Sequence, residues 1–210
     1  GADDYTGRFS YNSLLMPAKT AVLLTNLGTP DTLSKASVKR FLNQFLSDPR
    51  VVEIPRMPWW LILKLIILPF RSPKTLQAYQ RIWTDQGSPL MTYSKKQQSA
   101  LQQKLGDEVQ VALAMRYGNP AFDTVVDELL ASGVNNLVVL PLYPQNSATT
   151  TATTYHHLAQ TLAPRRDIPS VHFIDNYHEH PAYIEALAQS VRRHWEKSGA
   201  RNHLLISFHG

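Results

Sequence analysis

Eight histidines are spread along the chain, and the neighbours of one give it a distinct position. His209 directly follows the apolar run HLLISF at residues 203–208. Such continuous hydrophobicity predicts a buried parallel strand. In open α/β sheets, ligands bind beyond the carboxyl ends of the strands. The imidazole therefore occupies a ligand-facing position, where an unperturbed pKa of about 6.5 lets it exchange protons near neutrality or ligate a metal. The other predicted strand ends carry Asn26-Leu27-Gly28-Thr29, Arg116-Tyr117-Gly118, Leu142-Tyr143-Pro144-Gln145 and Asp175-Asn176-Tyr177-His178. Together they offer aromatics, an arginine and a histidine rather than a glycine-rich phosphate cradle. No G-x-G-x-x-G or G-x-x-x-x-G-K-[ST] occurs, and no G-x-S-x-G elbow. The remaining histidines have plainer readings. His178-Glu179-His180 reads as a solvated loop, and His156 and His157 as the surface of a helix. His172, His194 and His203 have no distinguishing context.

The elements that must position these ends follow from hydrophobic periodicity. Apolar runs at 20–27, 109–117, 136–142, 170–174 and 203–208 predict strands. Between them, Val38, Phe41, Leu42 and Phe45 recur at helical spacing, as do Phe122, Val125, Val126 and Leu129. In the helix expected over 181–197, Ile184, Leu187, Ala188, Val191 and Trp195 should face inward. Further helices are expected over 93–105 and 149–162, and Ser72-Pro73 reads as an N-cap with proline at the first helical position. The alternation predicts an α/β fold: an open parallel sheet with helices on both faces.

Residues 57–70 (MPWWLILKLIILPF) form the most apolar stretch. A membrane span needs about 20 apolar residues, and this run has 14, Lys64 among them. It is either a buried helix or an exposed lip. Trp59 and Trp60, with Arg56 and Arg71 outside the run, suit a lip at an interface. The 21 Lys and Arg against 16 Asp and Glu give a net charge of +5, which favours anionic partners. No dense basic run points to nucleic acid. The chain contains no cysteine, which excludes disulfides, thiolate metal sites and a cysteine nucleophile and suits a reducing cytosol.

At these strand ends the chain resembles the ferrochelatase family, which inserts ferrous iron into a porphyrin. The matching segments are LTNLGTP at 24–30, QFLSDPRVV at 44–52, LPFRSP at 68–73, GSPL at 87–90, Arg116-Tyr117, VVLPLYPQ at 138–145 and ISFHG at 206–210. The variant is similar to proteobacterial members. The resemblance implies a parent of two similar α/β domains. Residues 1–19 would be a tail, 20–168 the first chelatase-like domain with its lip at 57–70, and 169–210 the start of an incomplete second domain.

The same resemblance makes His209 the metal ligand or the base for the pyrrole protons. It assigns Leu27, Arg71, Tyr79, Ser88, Arg116 and Tyr117 to the porphyrin, and Leu27 favours protoporphyrin IX over coproporphyrin. No resident cofactor is implied, since ferrous iron is a substrate. The implied activity is the last step of heme biosynthesis, in the cytoplasm, with the lip touching the inner membrane. The family glutamate would lie beyond Gly210, so residues 1–210 alone would be inactive. Asn146 and Ala152 depart from the family pattern of an aromatic and a glycine. Two alternatives are another tetrapyrrole chelatase and a catalytically incomplete porphyrin-binding fragment.

Overall fold

The structure, a computed structural model, describes residues 18–207. Its sheet has four strands: β1 (Thr20–Gly28), β2 (Val109–Tyr117), β3 (Asn136–Pro141) and β4 (Ser170–Phe173). They lie in the order β2-β1-β3-β4, all parallel. The register pairs Leu24 with Leu113 and with Leu140, and Gly28 with Tyr117.

Seven α-helices surround the sheet: α1 (Lys35–Leu46), α2 (Arg56–Ile62), α3 (Leu68–Ile82), α4 (Pro89–Leu105), α5 (Phe122–Ala131), α6 (Thr153–Leu162) and α7 (Pro181–Ser198). Alternate strand residues point to opposite faces. Leu23, Ala114, Leu137 and Val139 therefore meet Phe122, Val126 and Leu129 of α5 and Leu158 of α6. Leu24, Val111, Leu113 and Met115 meet Leu90, Met91 and Leu101 of α4 on the other face. The α/β sheet covered on both faces is the expected architecture. A third cluster unites Val38, Phe41, Leu42 and Leu46 of α1 with Leu63, Leu68 and Tyr117. This one forms the carboxyl edge of the sheet.

Several local expectations are corrected. Ser72 does not cap a new helix. α2 runs through a π turn (Leu63–Ile67) straight into α3, with Pro73 inside it. Pro69 is the second residue of α3, directly after the π turn, where the regular hydrogen-bond ladder is already interrupted. Ser72 is buried, and its hydroxyl donates to the Leu68 carbonyl at 2.6 Å. Packing of Leu68, Leu76 and Tyr79 against α1 outweighs the local stop signal. α4 begins at Pro89, and α6 begins at Thr153 after a second π turn (Ala148–Ala152).

The segment from 169, read as opening a second domain, starts with β4, which is hydrogen-bonded to β3 in this same sheet. The described part of the expected strand 203–208 is not a strand. Leu205 is 95 % exposed, and an unpaired strand has no ladder to hold it. α7 buries no residue, and Ile184 and Leu187 on its apolar face are exposed. Amphipathicity dictates which side is apolar, but it does not supply the surface that covers it.

Gly28 lets the ends of β1 and β2 approach closely. It has φ +110°, and a Cβ there would fall 1.7 Å from the Tyr117 carbonyl oxygen. Gly28→Ala is therefore expected to cost at least about 2 kcal/mol, through backbone strain and overlap together. Urea unfolding checks this, and an unchanged midpoint would contradict the packing described.

Candidate functional site

The carboxyl ends of β1 and β2 place Leu27, Arg116 and Tyr117 together. Tyr117 is buried and stacks edge-on to Phe45, with centroids 5.3 Å apart, and Leu27 packs on the same cluster. Tyr79 joins it from α3, edge-on to Phe41 at 6.4 Å. Burial pushes the Tyr79 phenol up, against the pull of Thr29. Ser88 is 4 % exposed and accepts a hydrogen bond from Thr29 Oγ1 at 2.9 Å, just past the end of β1. Five of the seven sequence-derived site residues thus surround one sheet edge.

Arg71 lies on α3 about 12 Å along the axis from Tyr79. It is exposed and forms no ion pair among the described residues. His209 falls outside the described residues.

The two arginines differ in kind. Arg116 Nη2 donates to Asp48 Oδ2 at 2.5 Å, its Nε donates to Thr153 Oγ1 at 3.0 Å, and its guanidinium carbon lies 4.6 Å from the centre of the Tyr117 ring. The charge of Arg116 is therefore spent inside the protein. Arg71 keeps its charge available to a ligand.

Asp48 and Thr153 were not singled out for chemistry from the sequence. Asp48 is 5 % exposed, the only buried acid among the described residues. It follows α1 in the segment FLSDPRVV, where one carboxylate stands amid apolar residues. That isolation was the available signal. Tyr117 Oη donates to Asp48 Oδ2 at 2.8 Å, Thr153 Oγ1 donates to the same oxygen at 2.5 Å, and the Arg50 N–H donates to Oδ1 at 2.8 Å.

Burial pushes the Asp48 carboxyl up, but hydrogen bonds from Thr153, Arg50 and Tyr117, with the Arg116 charge, outweigh it. They hold the group below its ordinary value of 3.8. Burial, reinforced by Asp48, pushes the Tyr117 phenol well above its ordinary 10, so it stays a proton donor. Tyr143, at the end of β3, has a buried hydroxyl with no hydrogen-bond partner among the described residues.

Beside Arg116 opens a cavity of about 420 Å³, lined by Gln44, Asp48, Phe122, Asp123, His156 and His157 among others. The surface reading of His156 and His157 is corrected here, since both are half-buried. His157 Nε2 lies 3.0 Å from Asp123 Oδ1, and its ring packs on Phe122. Burial, with the Arg116 charge, depresses its pKa below 6.5 despite Asp123. Among the described residues, no three His, Asp or Glu side chains converge to hold a metal ion.

The 57–70 stretch is exposed on one side. Leu63 and Leu68 are buried, and Trp59 Nε1 donates to the Leu46 carbonyl at 2.7 Å. Lys64 Nζ donates to Asn43 Oδ1 at 2.7 Å, and Arg56 Nη1 donates to the Ser47 carbonyl at 2.6 Å. These polar groups are occupied against α1. Met57, Trp60, Leu65 (67 % exposed), Ile66 and Phe70 (71 % exposed) face outward. No helix among the described residues is long and apolar enough to cross a membrane.

The protein is of the open parallel α/β class, with an aromatic cluster and a buried Arg116–Asp48 pair at the carboxyl edge of its sheet, the edge at which ligands bind in open α/β sheets. A family model described as Ferrochelatase matches residues 19–210. The chain is 54 % identical over 198 residues to a ferrochelatase of Aeromonas hydrophila, covering 93 % of this chain and 61 % of that relative. It is 49 % identical over 196 residues to a ferrochelatase of Idiomarina loihiensis, covering 91 % of this chain and 54 % of that protein. The chain belongs to the ferrochelatase family. It spans roughly half to three fifths of the length of the curated relatives it matches.

Removing the Asp48 carboxylate leaves a buried guanidinium unpaired. Asp48→Ala should therefore cost about 3–5 kcal/mol in urea unfolding at neutral pH. Because the folded pKa is depressed, the stability Asp48 contributes is full above its ordinary 3.8 and lost as pH falls through the lower folded value. Asp48→Asn should remove that part of the acid dependence. An unchanged acid limb in the variant would contradict the assignment.

Proposed function

We propose that the protein carrying this chain inserts ferrous iron into protoporphyrin IX, the final step of heme biosynthesis. The observation that carries the reading is the strand-end cluster of Leu27, Tyr79 and Tyr117 in a chain of this family. An apolar macrocycle needs an apolar slot, and these side chains supply one. Its propionates need cations, and of the two arginines assigned to the porphyrin Arg71 is the one that forms no ion pair among the described residues. Leu27 gives the macrocycle an aliphatic neighbour without an oxygen ligand for iron, which suits protoporphyrin. Two pyrrole protons must leave as the metal binds, and His209 is the base assigned to them. Ferrous iron accepts imidazole, so the same residue can serve as its ligand. For residues 1–210 taken alone, the partial span of the relatives favours porphyrin binding without turnover.

The reading extends to location. The protein works in the cytoplasm and rests the outward face of the lip against the inner membrane. An exposed apolar face whose one lysine, Lys64, is bonded to α1 suits that contact. Leu65→Asp combined with Phe70→Asp should lower co-sedimentation with anionic lipid vesicles several-fold. Undiminished binding would remove the membrane contact.

In the full-length protein, His209→Ala should retain porphyrin binding, seen as an unchanged shift of the porphyrin absorbance band, and lose iron insertion. Wild-type turnover in that variant would refute the role. Arg71→Leu should raise the porphyrin KM by about tenfold, the value of one charge-assisted contact. An unaltered KM would count against it.

A further inference from the structure

One buried oxygen joins three elements at the sheet edge. Asp48 Oδ2, from the loop that ends α1, accepts from Arg116 Nη2 and Tyr117 Oη of β2 and from Thr153 Oγ1 of α6. The other oxygen is fixed by the Arg50 N–H. Arg116 is thereby held over the Tyr117 ring, and both of its fixed nitrogens point into the protein.

We propose that Asp48 is a positioning residue for metal insertion, locking Arg116 and Tyr117 into one charge-balanced plate beside Leu27. This role rests on the iron-insertion reading above and sharpens it into a division of labour. An Arg116 that turned to grip a propionate would strand the Asp48 carboxylate, an unpaired buried anion. Ligand acids therefore fall to Arg71, while Arg116 and Tyr117 shape the surface against which the macrocycle is held. A floor displaced by even a fraction of an ångström degrades the alignment of reacting atoms more than it degrades affinity. Loss of Asp48 should accordingly appear in kcat rather than KM.

The test uses the full-length protein with ferrous iron and protoporphyrin under anaerobic conditions. Asp48→Asn keeps the side-chain shape and removes the charge. It should lower kcat at least about tenfold while the porphyrin KM stays within about threefold. Added to Tyr117→Phe, it should cost little more than Tyr117→Phe alone, since both act through one contact. Ultraviolet absorbance gives a second signature: one tyrosine should ionise at lower pH in Asp48→Asn than in wild type. That change should vanish when Tyr117→Phe is also present.

If Asp48→Asn does not fold, Thr153→Val leaves the carboxylate in place. It should reduce kcat by about threefold or more, with KM unchanged. A folded Asp48→Asn protein with kcat within about twofold of wild type overturns the role, as does an equal loss in the Tyr117→Phe background. So does a Thr153→Val protein of wild-type kcat. A wild-type protein that inserts no iron overturns the iron-insertion reading itself, which is a different result.

Discussion

A carboxylate removed from water must be compensated where it lies, and Asp48 is compensated by groups from distant parts of the chain. Arg116 and Tyr117 arrive with β2 and Thr153 with α6, so the end of α1 cannot close over the sheet unless all three are in place. The same requirement fixes the aromatic packing above it. Phe45 and Leu46 immediately precede the Asp48 loop, and Phe45 reaches the Tyr117 ring. The polar knot and the aromatic packing are thus one arrangement seen from two sides. Gly28 completes it by letting the backbone of β1 lie against the Tyr117 carbonyl.

The lip shows how a strongly apolar helix can be fastened without hiding its apolar side. Its anchors are two buried leucines, worth about 2 kcal/mol each, and an indole hydrogen bond to the last carbonyl of α1. Lys64, the one charge in the run, reaches Asn43 instead of water. What remains outward is an almost uninterrupted hydrocarbon surface. Exposed patches of this kind mark contact with another apolar phase or partner rather than ordinary solvent.

Much of the frame was legible because buried parallel strands write themselves as continuous apolar runs. That held for β1, β2 and β3, and the strand-end rule then picked out Leu27, Arg116 and Tyr117. Asp48 was illegible as chemistry because its partners lie 68 to 105 positions away. Its apolar neighbours hint at burial, but nothing local names the groups that would pair with it. The same limit hid His157, whose helix turns it toward Phe122 and Asp123. Pro69 and Pro73 signalled a break that packing against α1 overrode. The inward face expected of α7 failed for the converse reason: its stripe is real, but no described element lies over it.

The π turn at Leu63–Ile67 inserts one residue's worth of rotation into an otherwise regular rod. The segment before it and the segment after it therefore keep different phases about a common axis. Trp59 and Leu63 meet α1 in one phase, and Leu68 and Ser72 meet the interior in the other. Deleting a single residue from the turn would restore an ordinary spiral and swing everything downstream by roughly 100°. Tyr79 would then leave the sheet edge, although it had not itself been altered. The wide turn acts as a setscrew, through which the fastening of the greasy segment also aims Tyr79 of α3 at the aromatic cluster.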